Sequence, residues 1–62
     1  MGVRVYRRDG STEVYGRPGD GEWTARRDEY SGTLLVAYLR AGKWEEVRRF
    51  YRSEEWSRVV IN

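Results

Sequence analysis

The stretch KWEEVRRFYR, residues 43–52, decides the fold class of this chain because two secondary structures fit it. A helix would place Trp44, Val47 and Tyr51 on one face, with glutamates in its first turn and arginines in its last, as the helix dipole favours. A strand would instead place charged residues on both faces and leave three aromatic side chains for neighbouring strands to pack. The flanking sequence therefore has to decide between the two.

The segments on either side favour the strand. A two-residue loop at 41–42 and a four-residue loop at 52–55 would bring three strands into one register. That register aligns one valine from each strand, namely Val36, Val47 and Val60. Apolar residues that meet across strands stabilise a sheet. We therefore predict a strand, and the alternative is a helix over the same stretch within an α+β fold.

An N-terminal hairpin is indicated by the segment VRVYRRDGSTEVY, residues 3–15. Its Asp-Gly pair is the strongest short signal for a two-residue hairpin loop. With that loop, Val5 lies opposite Val14, and both share the core face with Val3. The solvent-facing side of the hairpin would then carry Arg4, Tyr6, Arg8, Glu13 and Tyr15.

The remaining segments complete an all-β chain. Residues 22–27 predict a third strand with Trp23 and Ala25 facing inward, and the apolar run 33–40 predicts a fourth. For that apolar run the alternative is a buried helix that ends at Ala41, with Gly42 as its C-terminal stop. Turn residues recur between these short strands, a spacing that is typical of antiparallel β proteins. We therefore predict a single domain, residues 1–62, built as an antiparallel meander of about five to six short strands that forms a small barrel or a curled sheet.

The composition lacks the residues of the commonest catalytic and metal-binding sites. The 62 residues include no cysteine and no histidine, which removes disulfides, the usual zinc ligands and the common nucleophile–base pairs. The acidic pairs at 45–46 and 54–55 would point to opposite faces of a strand. The glycine-rich run 16–21 lacks the spacing of a phosphate-binding loop. We therefore expect no enzymatic activity, no cofactor and no metal.

The sequence also contains no segment typical of a spanning helix or of a signal peptide. No apolar run approaches the roughly 18 residues that indicate a spanning helix. The N-terminal segment MGVRVYRRDG has no apolar core of the kind that a signal peptide carries. The expected location is the cytoplasm, with no membrane partner.

The C-terminal half combines a G-x-L-x-V strand, an aromatic pair and a closing W-x-x-V strand. These elements are Gly32, Leu34 and Val36, then Phe50 and Tyr51, then Trp56 and Val59. This order resembles that of short uncharacterised all-β proteins from actinobacteria and their phages. The resemblance implies an all-β meander and a phage or mobile-element origin, and it brings no known active site.

Aromatic residues are more numerous than one small core readily hides, with three Trp, five Tyr and one Phe in the chain. Trp, Tyr and Arg are the residues enriched at binding hot spots, and a sheet that is apolar on both faces leaves one face for an interface. We therefore predict a non-enzymatic protein-interaction module that forms a homo-oligomer or docks on a host protein. Its predicted contact residues are Tyr38, Arg49, Tyr51, Trp56 and Arg58.

The alternative function is binding of nucleic acid by a small β-barrel. Aromatic rings flanked by cations bind single strands through stacking and charge. The solvent-facing side of the N-terminal hairpin offers this combination in Arg4, Tyr6, Arg8 and Tyr15. The net charge of +2 is low for such a role, and Glu13 interrupts the patch.

Overall fold

The computed structural model describes residues 2–16, 22–40 and 44–61. They form six strands: β1 Val3–Arg7, β2 Thr12–Tyr15, β3 Glu22–Arg27, β4 Leu34–Arg40, β5 Trp44–Tyr51 and β6 Trp56–Ile61. No helix occurs within the described ranges. The prediction of an all-β chain with about five to six short strands is therefore confirmed.

The strands form two antiparallel three-stranded sheets. Sheet 1 has the order β2-β1-β6, and sheet 2 has the order β3-β4-β5. Within the described residues the two sheets are not joined into a closed barrel. The predicted curled sheet therefore takes the form of two separate sheets that pack against each other.

The core lies between the sheets and receives residues from both. Val3 and Val5 of β1 are buried against Leu34 and Val36 of β4 and Tyr51 of β5. Tyr15, Trp23, Ala25, Trp56 and Val59 are partly buried around this centre. The prediction that Trp23 and Ala25 face the core is confirmed. Because successive side chains of a strand point to opposite faces, the residues of β3 and β4 alternate between the core side and the outer side of sheet 2.

The stretch that decides the fold class is a strand that pairs with β4 from end to end of its described residues, with one bulge. β5 is hydrogen-bonded to β4 from the pair Leu34–Tyr51 to the pair Arg40–Trp44. The helix alternative is therefore wrong for residues 44–51. Lys43 and the predicted loop at 41–42 lie outside the described residues.

A bulge in β5 changes the predicted valine alignment. Val36 pairs with Arg49 and Ala37 pairs with Val47, so Arg48 is an extra residue on β5. A bulge of this kind moves the following side chains to the opposite face of the sheet. Val47 consequently lies on the outer face of sheet 2, 41% exposed, and the predicted pairing of Val36 with Val47 is wrong.

The N-terminal hairpin has a longer loop than predicted. Arg7 N donates to Ser11 O at 2.8 Å and Gly10 N donates to Arg7 O at 3.1 Å, which closes a three-residue loop over residues 8–10. Gly10 has φ +93°, as the left-handed position at the end of such a loop requires. Asp9 Oδ1 accepts from both N and Oγ of Ser11, which ties the loop together.

The extra loop residue slips the hairpin register by one and exchanges the faces of β2. Val5 pairs with Glu13, and Val3 pairs with Tyr15. Val14 is therefore 64% exposed, and Tyr15 packs inward against the core. The predicted core position of Val14 and the predicted outward positions of Glu13 and Tyr15 are wrong for this single reason.

The last strand joins a different sheet from the one predicted. β6 pairs with β1, through Val59 opposite Val5 and Arg58 opposite Tyr6. The turn that precedes it, closed by the bond from Glu55 N to Arg52 O at 2.8 Å, carries the chain from sheet 2 to sheet 1. β6 does not pair with β5 in the described residues, so the predicted place of Val60 beside Val47 is wrong.

Candidate functional site

A polar cluster joins the two sheets at the edge of the core. Arg7 Nη1 lies 3.3 Å from Glu13 Oε1, and Arg49 Nη2 lies 3.8 Å from the same oxygen. The Tyr15 hydroxyl donates to Glu13 Oε2 at 3.1 Å. The Tyr51 hydroxyl contacts the Tyr15 hydroxyl and donates to its oxygen, since the Tyr15 proton is already given to Glu13.

The cluster shifts the pKa of each acidic group in it. Burial by itself would raise the pKa of Glu13, but the hydroxyls of Tyr51 and Tyr15 and the guanidinium groups of Arg49 and Arg7 lower it below the ordinary value. Burial raises the pKa of Tyr51, and the hydroxyl of Tyr15 and the carboxylate of Glu13 raise it further. Burial also raises the pKa of Tyr15. Near neutral pH the carboxylate stays charged and both phenols stay protonated, so none of these three groups is matched to proton transfer there.

The geometry of the cluster fits a structural role. Arg7 and Glu13 lie in sheet 1, whereas Arg49 and Tyr51 lie in sheet 2, so the cluster spans the packing interface. The Arg49 guanidinium carbon lies 5.1 Å from the centroid of the Tyr51 ring. Arg7 Nε is buried without a hydrogen-bond partner, and this unsatisfied donor is the one defect of the described part of the cluster.

The residues predicted to contact a protein partner are distributed over both sheets. Tyr51 is 0% exposed, so its ring is not available to a partner in this conformation. Tyr38 is half-buried, with its ring 5.3 Å from that of Trp23. Trp56 is half-buried on the other sheet and donates its indole N–H to Gly32 O at 3.0 Å.

The two predicted contact arginines are also separated. Arg49 belongs to the polar cluster between the sheets, where it faces Glu13. Arg58 lies on the outer face of sheet 1, with its guanidinium carbon 4.2 Å from the centroid of the Tyr6 ring. The predicted contact residues therefore do not form one surface.

An Arg–Tyr patch, consisting of Arg4, Tyr6 and Arg58, lies on the outer face of sheet 1. Hydrogen bonds from Arg4 and then Arg58 lower the pKa of Tyr6. Within the described residues neither arginine forms an ion pair with a carboxylate. Two residues of the predicted nucleic-acid face are thus brought together, and Arg58 joins them from β6.

The other two residues of the predicted nucleic-acid face lie elsewhere. Tyr15 packs inward, with its ring 5.6 Å from that of Trp23 and its hydroxyl bound to Glu13. Arg8 lies in the hairpin loop and donates from Nε to Trp56 O at 3.1 Å. The one-residue slip of the hairpin is the reason that Tyr15 leaves this face.

The outer apolar face of sheet 2 consists of Leu35, Leu39, Val47 and Phe50. Leu35 pairs with Phe50, and the buried Ala37 between the two leucines pairs with Val47. Phe50 is 64% exposed, and both leucines are half-buried. Residues 33–40 are apolar on both faces, and this pattern predicts that one apolar face of the sheet is left uncovered. The pattern does not place Val47 there, because Val47 reaches the outer face only through the bulge.

Comparison with known proteins does not extend these observations. No protein-family model matches the chain, and no curated protein and no solved structure is significantly similar to it. The resemblance to actinobacterial and phage proteins therefore stays a prediction. The residues that the structure describes include no helix long and apolar enough to cross a membrane. They also include no group of three or more acidic side chains that could hold a metal ion.

Proposed function

We propose that this protein is a non-enzymatic protein-interaction module that associates with a second copy of itself through the outer apolar face of sheet 2. The observation that carries the proposal is the exposure of Phe50 beside Val47, Leu35 and Leu39 on one sheet face. Water contact with adjacent apolar side chains is unfavourable, and such patches commonly mark interfaces. The proposal keeps the interaction role predicted from the sequence and replaces its contact residues.

The charges beside this face favour a second copy as the partner. Glu22 pairs with Leu39 and Arg26 pairs with Leu35, so the two charges lie on the outer face at opposite ends of β3. A two-fold axis makes each interface contact twice, with the two residues exchanged between the copies. If two faces pack in antiparallel orientation, Arg26 of each copy approaches Glu22 of the other.

The size of the face sets the expected affinity. Three strands spaced about 4.8 Å apart, with seven residues at about 3.3 Å each, give a face of roughly 14 by 23 Å. Two such faces would bury roughly 640 Å² in total, below the roughly 1,200 Å² of stable specific interfaces, so the size fits a weak and transient association. We therefore expect a dimer whose dissociation constant is on the order of ten micromolar or weaker.

The substitution Phe50→Asp tests the proposed interface. We expect it to weaken dimerisation by about tenfold or more, because a charge replaces the most exposed aromatic ring of the face. Sedimentation velocity between about 10 μM and 1 mM, a range that brackets the expected constant, measures the effect. Circular dichroism checks that the variant remains folded.

A matched control is available on the other sheet. Val14 and Phe50 are both 64% exposed, so Val14→Asp places the same charge on an equally exposed apolar residue. We expect Val14→Asp to dimerise like the wild-type protein. A wild-type protein that stays monomeric over the whole concentration range, or a loss that is equal in both variants, would contradict the proposal.

We propose as well that the protein is encoded by a phage or mobile element and acts in the cytoplasm. The support for this origin is the order of the sequence motifs in the C-terminal half, from Gly32 through Phe50 and Tyr51 to Val59. The absence of cysteine is compatible with the cytoplasm, where disulfides are rare.

A second candidate function is binding of single-stranded nucleic acid by the Arg–Tyr patch. Its support is the convergence of Arg4 and Arg58 on Tyr6 without a neighbouring carboxylate in an ion pair. Each guanidinium that replaces a counterion on a single strand contributes about −0.7 to the slope of log K against log salt. Two such contacts predict a slope of roughly −1.4.

Fluorescence anisotropy of a labelled mixed-sequence single strand tests this candidate at several salt concentrations. Arg4→Ala should reduce the slope by about 0.7, and Tyr6→Ala should weaken binding without changing the slope. Arg48→Ala is the control, since Arg48 lies on sheet 2 and pairs with Glu46 at 3.5 Å. Binding that is lost by about 150 mM salt, or that responds equally to the control, would count against this function.

A further inference from the structure

A basic cleft opens where the end of sheet 2 meets the connection into β6. Its volume is about 230 Å³. The residues that line it are Arg8, Arg27, Gly32, Ser53, Trp56 and Ser57. They come from the hairpin loop of sheet 1, from β3, from the β3–β4 turn, from the β5–β6 turn and from the start of β6. None of them belongs to the outer apolar face or to the Arg–Tyr patch, so the cleft is a separate feature.

Hydrogen bonds fix the frame of the cleft. Trp56 Nε1 donates to Gly32 O at 3.0 Å, which ties β6 to the β3–β4 turn. Ser57 Oγ donates to Tyr6 O at 3.1 Å, and Arg8 Nε donates to Trp56 O at 3.1 Å. Gly32 has φ +73°, and a Cβ at this position would lie 3.0 Å from Cβ of Ser53, so a larger residue would strain the cleft wall.

The cleft carries two guanidinium groups, those of Arg8 and Arg27. Within the described residues neither Arg8 nor Arg27 forms an ion pair. A guanidinium has five N–H donors, and the bond to Trp56 O uses only the Nε donor of Arg8. The terminal amino groups of both arginines are therefore left for a ligand.

Three carboxylates adjacent in sequence to cleft residues accept hydrogen bonds within turns. Asp28 accepts from Tyr30 N and from Ser31 Oγ within the β3–β4 turn. Glu55 Oε1 accepts from Arg52 N at 2.9 Å. Glu54 Oε2 accepts from Ser53 Oγ at 3.2 Å, and it is the carboxylate that would oppose an anion next to Ser53.

We propose that the basic cleft binds a phosphate group, either inorganic phosphate or the phosphate of a small monoester. The Nη groups of the two guanidinium ions offer several charge-assisted donors to the oxygens of a phosphate, more than the two oxygens of a carboxylate would use. The hydroxyl protons of Ser57 and Ser53 are already donated, to Tyr6 O and to the Glu54 carboxylate. The cleft is smaller than the roughly 300–1,000 Å³ of sites that enclose a whole drug-sized ligand. It therefore fits the phosphate, while the remainder of an ester would lie outside against Trp56.

Titration with sodium phosphate at constant ionic strength tests this site directly. Nuclear magnetic resonance follows the indole N–H of Trp56 and the backbone amides of Arg8 and Ser57. We expect saturable shifts of these signals with a dissociation constant on the order of one millimolar. Absence of saturable shifts at about 50 mM phosphate, well above that constant, would overturn the proposal.

Charge-matched variants separate the site from general electrostatic attraction. Arg8→Gln and Arg27→Gln should each weaken phosphate binding by about tenfold, because each removes a charge-assisted hydrogen bond. Arg48→Gln removes the same charge from a residue of sheet 2 that does not line the cleft and that pairs with Glu46 at 3.5 Å, so it should leave phosphate binding unchanged. Equal weakening in Arg48→Gln would overturn the proposal.

Two further variants keep the test valid if a glutamine variant fails to fold. Arg27→Lys keeps the charge but loses the planar fork, so we expect weaker binding than in the wild-type protein. Glu54→Gln removes the opposing carboxylate and should tighten binding by a few-fold. A Glu54→Gln variant that binds phosphate more weakly than the wild-type protein would contradict the proposed anion site.

A nucleoside 5′-monophosphate and its nucleoside distinguish the two phosphate sources. Tighter binding of the monophosphate than of inorganic phosphate assigns the cleft to a phosphate monoester, with the ring of Trp56 supporting the attached group. Equal binding assigns it to phosphate alone, and both results support the proposal. Binding of the nucleoside as tight as that of its monophosphate would overturn it, since the phosphate would then contribute nothing.

Discussion

Replacing Tyr51 with alanine is expected to lower the free energy of unfolding by about 3–5 kcal/mol. Tyr51 is 0% exposed and is the largest of the fully buried side chains. Removal of a buried aromatic side chain costs about 3–5 kcal/mol, because apolar burial is lost and a cavity is left. A chain of 62 residues has a total stability of roughly 3–9 kcal/mol at typical values per residue. One substitution therefore removes a large part of the stability.

Urea unfolding followed by circular dichroism and tryptophan fluorescence measures this effect. Tyr30→Ala is the matched control, since Tyr30 is 100% exposed and the same atoms are removed without loss of packing. We expect Tyr30→Ala to change the free energy of unfolding by less than about 0.5 kcal/mol. Tyr51→Phe keeps the ring but removes the hydroxyl from the polar cluster, and it should cost about 1–2 kcal/mol.

The Tyr51→Ala experiment also decides between two roles for this residue. The sequence predicts Tyr51 as a contact residue for a partner, whereas its position in the core makes it a residue of the fold. A contact residue could be truncated with little effect on the monomer. Wild-type stability in Tyr51→Ala would therefore contradict the packing between the two sheets.

The fold class is predictable from this sequence because its signals are local. Short apolar segments with turn residues between them indicate strands wherever they occur in the chain. The inward placement of Trp23 and Ala25 depends only on the local pattern of β3. The strand at 44–51 is inferred from pairing with its neighbours, and it is correct although the predicted alignment of Val36, Val47 and Val60 is not.

The strand registers are less predictable because one extra residue moves every following side chain to the opposite face of the sheet. The Asp-Gly signal predicts a two-residue loop, but the three-residue loop at 8–10 exchanges the positions of Val14 and Tyr15. The bulge at Arg48 similarly moves Val47 to the outer face. Loop length and bulges are set by the fit of each strand to the whole sheet and not by the local residues alone.

The candidate sites are the least predictable features because they join residues that are distant in sequence. Glu13 meets Arg49 only because β2 and β5 belong to opposing sheets. The sequence marks Arg8 and Trp56 for two different functions, yet they line the same basic cleft. Arg27 and Ser57 carry no signal of their own, since isolated arginines and serines are common on protein surfaces.

High pH is expected to destabilise the protein through the two buried phenols. Burial, the hydroxyl of Tyr15 and the carboxylate of Glu13 raise the pKa of Tyr51 far above the ordinary tyrosine value. Burial also raises the pKa of Tyr15. The folded protein therefore retains both phenolic protons at a pH at which the unfolded chain, with tyrosine pKa values near 10, releases them.

The sign of the effect follows from proton linkage. A group whose pKa is raised by folding contributes its full stability below the pKa of the unfolded chain, and this contribution is lost as the pH rises towards the folded pKa. For Tyr51 the free energy of unfolding should therefore fall by about 1.4 kcal/mol for each pH unit above roughly 10. Tyr15 adds to this fall between the unfolded-chain pKa near 10 and its own raised folded pKa.

Tyr6 acts in the opposite direction and has to be removed from the comparison. Arg4 and Arg58 lower its pKa, so ionised Tyr6 favours the folded state once the pH exceeds its folded pKa. Tyr6→Phe is therefore the reference protein for the measurement. Urea unfolding of this reference at about pH 9, 10 and 11 should give a free energy that is steady at first and then falls.

The double variant Tyr6→Phe/Tyr51→Phe identifies the phenol responsible. It should be less stable than the reference below pH 10, because the hydrogen bond to Tyr15 is lost, but its stability should fall less steeply above pH 10. The two stability curves should therefore converge as the pH rises. Parallel curves would mean that Tyr51 ionises equally easily in both states, which is incompatible with a phenol sealed between the sheets and hydrogen-bonded beside the Glu13 carboxylate.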